Sequence, residues 1–276
     1  MKRFQDKVVA ITGAAGGIGL AAATRMAEEG ATVVIADVLD EAGSAAAKRI
    51  GATFLHCDVS LEADVQALVE QTVERFGQLD VMYANAAVFG AVGPLAELTT
   101  EDFDLTLAIN LKGVFLCLKH AARVMQARNS GVILATASPG GIIGGVGPLA
   151  YSAAKAGVIG MCRNAAAELR PHGIRVISIV PGAIASAMTA DCLLNDPDKI
   201  DEAAEMMAAD SLTGRAGRPE DLAGAIAFAA SDDAAYLTGT ELFVDAGYTW
   251  AHGNAWASQP SLSGSPALLA GGRRSR

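Results

Sequence analysis

Tyr151 and Lys155 stand four residues apart in the segment YSAAK, which follows an uncharged stretch beginning at Ser138. On a helix this spacing places both side chains on one face. A free phenol has a pKa of about 10 and is a poor base at neutral pH, but a neighbouring ammonium lowers that pKa. The pair therefore predicts a tyrosine acid/base tuned by a lysine. The alternative is a surface pair with its lysine extended into solvent.

Two further polar residues could complete such a site. Ser138 ends a predicted strand, at the edge where ligands gather in parallel sheets, so its hydroxyl could hold a substrate oxygen. The plainer interpretation is a serine in a Gly/Pro loop. Asn110, in the segment AINLKG, could join a proton relay or could simply hydrogen-bond a helix backbone, and its chemistry leaves both open.

A glycine-rich segment, TGAAGGIG at 12–19, lies between the first predicted strand and the first predicted helix. Gly13, Gly17 and Gly19 would permit a sharp turn, close approach to a pyrophosphate and tight packing of the helix on the sheet. The helix N-terminus would then face the phosphates. An ordinary strand-to-helix turn is the alternative.

Asp37 ends the second predicted strand, where a carboxylate can accept hydrogen bonds from both hydroxyls of an adenine ribose. The same carboxylate would repel a 2′-phosphate. Gly16 and Val38, where a basic residue could bind that phosphate, carry no charge. The sequence therefore favours NAD over NADP, unless Asp37 is only a solvated carboxylate at a strand end.

The elements that must position these residues follow from hydrophobic periodicity. Apolar and β-branched runs predict strands at 7–12, 32–37, 53–58, 79–85, 131–138, 174–180 and 241–247. Amphipathic segments predict helices at 17–29, 61–76, 101–127, 151–170 and 218–230. The alternation predicts an α/β fold: a single Rossmann-like domain with a doubly wound, seven-stranded parallel sheet flanked by helices. We expect this NAD-binding catalytic domain to span 1–250 and a flexible Gly/Ser/Pro/Ala-rich tail to span 251–276.

Composition excludes several classes of protein. Apolar residues make up 51% of the chain and charged residues 18%, with a net charge of -9, which argues against nucleic-acid and anionic-membrane partners. The four cysteines are far apart, which predicts neither a metal site nor a disulfide framework. The N-terminal apolar run, 8–11, is too short for an export signal, and the long uncharged segments contain many glycines. We therefore expect a cytoplasmic enzyme without a membrane span.

These motifs occur in a characteristic order, together with CDVS (57–60), ANAA (84–87), NLKG (110–113) and PGAIASAM (181–188). Over roughly 5–250 the sequence resembles the short-chain dehydrogenase/reductase family, in its form with a core of about 250 residues. The resemblance implies a catalytic tetrad of Asn110, Ser138, Tyr151 and Lys155. In it, Tyr151 would take the alcohol proton, Ser138 would orient the substrate oxygen with it, Lys155 would also bind the nicotinamide ribose, and Asn110 would hold a water that links Lys155 to solvent.

The resemblance also implies the residues that bind NAD. Asp58 and Val59 would contact the adenine, and Asn85 the region near the adenosine ribose. Ile184 and Ser186 would contact the nicotinamide carboxamide. Each has a plainer alternative in core packing, a cap or a turn. The full implied set is Gly13, Gly16, Gly17, Ile18, Gly19, Asp37, Asp58, Val59, Asn85, Tyr151, Lys155, Pro181, Gly182, Ile184 and Ser186.

The sequence departs from the family pattern at several positions. Ala84 replaces an asparagine that commonly braces the central strands, and Ala87 stands where glycine is usual. Ser178 replaces an asparagine, and Ala246 replaces a glycine near the C-terminus. The glycine segment also fits the G-x-x-G-x-x-G spacing of longer epimerase and dehydratase relatives, but the short chain leaves little sequence for their nucleotide-sugar domain.

Substrate specificity is expected to come from 87–95, 139–149 and 187–212, the last as an apolar lid, although its Met and Leu residues could equally be core. We expect an NAD-dependent oxidoreductase that interconverts an apolar secondary alcohol, cyclic and aromatic ones included, and its ketone. The alternatives are an NADPH-type 3-oxoacyl carrier or other carbonyl reductase, and a non-catalytic NAD-binding sensor or scaffold. The resemblance suggests a homotetramer, or a homodimer, built from the helices at 101–127 and 151–170.

Overall fold

Short runs of β-branched and small apolar residues form the strands, and most of these residues are buried. The computed structural model describes residues 2–208 and 211–251. Its strands are β1 (Val8–Thr12), β2 (Thr32–Asp37), β3 (Thr53–His56), β4 (Val81–Ala84), β5 (Gly131–Thr136), β6 (Ile174–Pro181) and β7 (Glu241–Val244). They pair in parallel in the order β3-β2-β1-β4-β5-β6-β7. This confirms the predicted fold class and all seven predicted strands.

The helices are α1 (Gly17–Glu28), α2 (Asp40–Ile50), α3 (Glu62–Phe76), α4 (Thr100–Leu107), α5 (Gly113–Arg128), α6 (Leu149–Leu169), α7 (Ala187–Leu194), α8 (Ile200–Ala208) and α9 (Pro219–Ala230). Left-handed glycines end α2 and α3, where the missing side chain removes the steric cost of that conformation. The sequence analysis did not predict α2. It contains Gly43, where a Cβ atom would collide with the Phe54 ring, so this glycine serves helix-on-sheet packing.

Alternation along the buried strands divides the core between the two faces of the sheet. Side chains such as Ala10 and Met82 pack against α3, α5 and α6 on one face. Their neighbours Val9 and Tyr83 pack against α1, α2 and α9 on the other. The strand order reverses between β1 and β4, and ligands bind at such a reversal, outside the carboxyl ends of the strands. The fold therefore opens its cleft where the predicted site residues lie.

The helix predicted at 101–127 is continuous but irregular, because a π-helical turn, Ala108–Lys112, joins α4 to α5. Such turns are frequent at functional sites. Among the described residues, Thr100–Arg128 is long and apolar enough to cross a membrane by length and composition. Half of its most apolar window is buried in the fold, and it packs against α3 and α6. That burial is typical of a core helix, which passes the same test.

Candidate active site

A cavity of about 730 Å³ lies at the carboxyl ends of β1, β2, β4, β5 and β6. Most of the predicted site residues line it: Gly13, Gly16, Gly17, Ile18, Asp37, Asp58, Val59, Asn85, Ser138, Tyr151, Pro181, Gly182, Ile184 and Ser186. Gly19, Asn110 and Lys155 lie behind this lining. Among the described lining residues the charged side chains are Asp37, the last residue of β2, and Asp58, just after the neighbouring β3.

The structure brings Tyr151, Lys155 and Ser138 together. Tyr151 and Lys155 lie one turn apart on α6, and the Lys155 Nζ is 5.4 Å from the centre of the Tyr151 ring. This Nζ donates a 2.8 Å hydrogen bond to the carbonyl of Thr136 at the end of β5. Ser138 follows two residues later, and its hydroxyl is near enough to the Tyr151 phenol to lower the pKa of that phenol. Its hydroxyl also accepts from Gly140 N, which closes a short 3₁₀ turn, Pro139–Gly141.

Burial dominates the proton equilibria of this cluster. Desolvation lowers the pKa of Lys155 to about 7, since the ammonium is fully buried. Desolvation also raises the pKa of Tyr151, against a smaller lowering by the Ser138 hydroxyl. The lowered Tyr151 pKa that the sequence predicts is therefore not a property of the protein chain alone, because removing the phenol from water outweighs the stabilisation of its anion.

Asn110 lies in the π-helical turn and is completely buried. Its Nδ2 donates to the carbonyls of Val88, at 2.9 Å, and Thr106, at 3.0 Å. Its Oδ1 accepts from Val88 N at 3.3 Å. The sequence left open a proton relay and a hydrogen bond to helix backbone, and the bonds of this side chain in the structure are to backbone groups.

The glycine turn has the conformations that the sequence predicted for a phosphate loop. Gly13 and Gly17 have φ values of +62° and +54°. A Cβ atom on Gly13 would lie 2.6 Å from the Cα of Ala86, and one on Gly19 would lie 2.4 Å from the Gly13 carbonyl oxygen. Gly16 precedes α1 without a side-chain cap, and no atom lies within 4 Å of its Cβ position. The first N–H groups of α1 are thus free to bind an anion, and the residues fit a dinucleotide pyrophosphate.

Asp37 links the end of β2 to this turn. Its two carboxylate oxygens accept hydrogen bonds from Ala15 N, at 3.0 Å, and from Leu39 N, at 3.1 Å. Asp58 lines the same end, and its Oδ1 accepts from Ser60 N, so it also supports a local turn. Val59 lines the cavity and belongs to the core at the same time. All three residues therefore line the cavity and also have the structural role that the sequence offered as the alternative.

Asn85 braces the central strands from the position next to Ala84. Its Nδ2 donates to the carbonyls of Thr12 and Gly13, and its Oδ1 accepts from the Thr136 hydroxyl. Thus β1, β4 and β5 are joined although the family's asparagine at 84 is missing. Ala87 is not among the residues with positive φ, so this loop does not need a glycine there.

The loop after β6 lines the part of the cavity where the sequence analysis expects the nicotinamide carboxamide. A Cβ atom on Gly182 would lie 2.6 Å from the Cα of Asp245, so this loop packs directly on the turn after β7. Ile184 forms a bridge with Gly217, and Ser186 caps α7 by exchanging hydrogen bonds with Thr189. Ser186 therefore supports the helix whatever it contacts in a ligand.

Further apolar side chains complete the cavity. Met188, Cys192 and Leu193 from α7 and Met207 from α8 line it, and none of them belongs to either core. Of the Met and Leu residues at 187–212, Met188, Leu193 and Met207 are therefore cavity wall, whereas Leu194, Met206 and Leu212 lie outside the lining.

The sequence analysis missed several lining residues. They are Leu39 after β2, Cys57 after β3 and Tyr248 after β7. The signal that could have found them is their position just beyond a parallel strand, because the residues that follow such strands face the ligand cleft.

Comparison with known proteins adds an independent line of support. The family model described as enoyl-(acyl carrier protein) reductase matches residues 13–249. Momilactone A synthase of Oryza sativa subsp. japonica is 42% identical over 253 residues, which cover 89% of this chain and 91% of the relative. A mitochondrial borneol dehydrogenase of Lavandula x intermedia is 41% identical over 255 residues, which cover 90% and 92%. The crystal structure of levodione reductase aligns with a TM-score of 0.85 and 39% identity over 91% of this chain and 100% of that one. The fold, the cleft and these matches agree, and the chain belongs to the short-chain dehydrogenase/reductase family.

Proposed function

We propose that this protein is an NAD-dependent oxidoreductase that interconverts apolar secondary alcohols, cyclic and aromatic ones included, and their ketones. The observation that carries the proposal is the cluster of Tyr151, Ser138 and Lys155 at an apolar cavity. The glycine turn lines the same cavity. A phenol and a serine hydroxyl that line the same part of a cavity can hold one substrate oxygen between them. The nicotinamide cofactor, when bound, supplies the hydride acceptor or donor.

In this mechanism the protein moves the proton. Ser138 donates a hydrogen bond to the substrate oxygen, and Tyr151 accepts the alcohol proton during oxidation or gives a proton to the ketone oxygen during reduction. The Lys155 Nζ, held by the Thr136 carbonyl, stabilises the phenolate through the low-dielectric interior. Asn110 acts from further away by holding the Val88 backbone and the π-helical turn.

The choice of NAD rests on Asp37. Its carboxylate stands at the end of β2 beside the glycine turn, where it can accept hydrogen bonds from ribose hydroxyls. Among the described residues that line the cavity there is no Lys, Arg or His to hold a 2′-phosphate. A 2′-phosphate next to this carboxylate would meet like-charge repulsion.

The choice of substrate rests on the composition of the wall. Apart from the polar groups of the catalytic cluster and the cofactor end, most of the lining is aliphatic, aromatic and thioether, and includes Phe89, Val146, Met188, Leu193 and Met207. The absence of cationic lining groups, within the described residues, disfavours a carrier-bound or phosphorylated substrate. The names of two relatives, a borneol dehydrogenase and a levodione reductase, are consistent with alcohol–ketone interconversion.

Assembly and location belong to the same proposal. The exposed Leu105, Phe115 and Leu149 on α4, α5 and α6 give an apolar surface that a homotetramer or homodimer would cover. We propose a cytoplasmic enzyme, since the four cysteines are free thiols that suit a reducing compartment. One relative is named as mitochondrial, so fractionation of cells is the direct test.

The experiment that tests the proposal measures absorbance at 340 nm with NAD, and separately with NADP, across a panel of secondary alcohols. Tyr151→Phe should abolish turnover while NAD binding, followed by quenching of tryptophan fluorescence, is retained. Asp37→Asn keeps the side-chain shape without the charge and should raise kcat/KM with NADP relative to NAD. Tight NAD binding without turnover of any alcohol or ketone would instead support the sensor alternative, and a preference for NADPH with acyl-carrier ketones would support the reductase alternative.

A further inference from the structure

Phe89 lies in the loop between β4 and α4, and its ring is 5.2 Å from the Tyr151 ring, centre to centre, at an angle of 46°. Both residues line the cavity. Phe89 is half-buried, and among the described residues it belongs to neither hydrophobic core cluster. An aromatic side chain that packs on the acid/base residue and not on the core serves the site more than the fold.

The backbone on both sides of Phe89 is fixed to the α4 and π-helical segment. Asn110 hydrogen-bonds both the N–H and the carbonyl of Val88. Thr106 accepts from Ala91 N at 2.9 Å through its Oγ1, which also donates to the carbonyl of Asp102. The loop thus holds the Phe89 ring at a defined position beside Tyr151.

Gly90 makes this loop path possible. Its φ of +68° is a conformation that L side chains rarely adopt, and an added Cβ atom would lie 2.1 Å from the Thr106 Oγ1. The backbone therefore passes directly over Thr106. The position of Phe89 is set by this close approach as well as by the hydrogen bonds on either side.

We infer that Phe89 is a specificity-determining residue that selects secondary alcohols carrying a flat ring on the carbinol carbon. A substrate that presents its oxygen to Tyr151 and Ser138 must pass one substituent along the Phe89 ring. Aromatic pairs in offset or tilted geometry gain stabilisation beyond their buried area. The flexible side chains of Met188 and Leu193 in the same cavity accept substituents of less regular shape. This inference rests on the proposed function and deepens it.

The test compares three methyl carbinols with eight carbons each: 1-phenylethanol, 1-cyclohexylethanol and 2-octanol. Phe89→Leu keeps apolar bulk and removes the ring. We expect KM for 1-phenylethanol to rise about tenfold, as expected for loss of an aromatic pair. The KM for 1-cyclohexylethanol should rise less, and that for 2-octanol should stay within about twofold. The matched control is Phe228→Leu, on α9 and outside the cavity lining, which should change none of the three.

The outcomes separate this inference from the proposed function. Wild-type enzyme that oxidises none of the three alcohols overturns the proposed function and this inference with it. Wild-type turnover combined with an equal loss for all three substrates in Phe89→Leu overturns the inference alone. A fall in kcat together with a shifted pH–rate profile also overturns it, because Phe89 would then act by supporting Tyr151. A KM effect that is largest for 1-phenylethanol and smaller for 1-cyclohexylethanol, with kcat and its pH profile unchanged, supports it.

Discussion

Replacement of the buried Lys155 by methionine should make the protein inactive and, at neutral pH, more stable. The ammonium is fully buried, and desolvation lowers the pKa of Lys155 from 10.5 to about 7. At about 1.4 kcal/mol per pKa unit, keeping this lysine in the interior costs roughly 5 kcal/mol below pH 7, where it is charged in both the folded and the unfolded state. Methionine has a similar length and carries no charge, so it removes that cost.

One opposing effect must be subtracted. The variant leaves the Thr136 carbonyl without its 2.8 Å hydrogen bond, which costs about 1–3 kcal/mol for a buried acceptor. The folded pKa lies below the unfolded one, so between pH 7 and pH 10.5 the unfolded state binds more protons and the wild type gains stability as pH rises. Lys155→Met should therefore be the more stable protein at pH 7, and its advantage should shrink by about 1.4 kcal/mol per pH unit and reverse by about pH 10.

The assay is urea-induced unfolding followed by circular dichroism, at fixed protein concentration, from pH 6 to pH 10. Tyr151→Phe is the matched control, since it alters the same cluster and keeps the lysine, and it should follow the pH dependence of the wild type. A difference between wild type and Lys155→Met that stays constant over this range would refute the reasoning, because the lysine would then bind its proton equally in both states.

Three further predictions concern catalysis and folding. Burial raises the pKa of Tyr151, so at saturating cofactor kcat/KM for alcohol oxidation should rise with pH from 6 to 9 while that for ketone reduction should not; initial rates in both directions test this. Ala246 is exposed and has a φ of +50°, so Ala246→Gly should raise the free energy of unfolding by about 1 kcal/mol and Tm by about 2–4 °C. Ala235 has a φ of -56°, so the control Ala235→Gly should lower the free energy of unfolding. Thermal melts of the two variants test this. Gly13→Ala should lower the free energy of unfolding by several kcal/mol and abolish NAD binding, because the added Cβ atom would lie 2.6 Å from a backbone atom and the φ is +62°. The control Gly144→Ala has open space around its Cβ position and should have the Tm of the wild type.

The departures from the family pattern show how neighbouring residues compensate. Ala246 occupies a left-handed conformation that the family's usual glycine would adopt without strain, and its methyl group is exposed, so the cost is confined to the local backbone. Ala84 lacks the bracing amide, yet Asn85 reaches both flanking strands. The family pattern identified these positions, and the three-dimensional structure shows that Ala246 is the one with backbone strain.

Hydrophobic periodicity and motif spacing were sufficient to predict the fold and most residues of the candidate site. Strand β2 occupies the predicted 32–37, and β4 is shorter than its predicted 79–85 by a few residues, as expected where strands fray into loops. The spacing of Tyr151 and Lys155 placed them on one helical face because helix geometry is a property of neighbouring residues. The rule that ligands gather beyond parallel strands then brought Ser138, Asp37 and the glycine turn to one edge.

Tertiary structure decided what depends on residues distant in the sequence. The depth of burial of Lys155 sets its pKa, and desolvation, not its proximity to Tyr151, is the larger effect in the protein chain alone. Phe89 meets Tyr151 only because Asn110 and Thr106 hold its loop against another helix. The spacing and alternation of residues indicate the direction in which a side chain points from its own helix or strand. They do not record which side chains meet across the cleft or how much water remains there, since both depend on the packing of the whole chain.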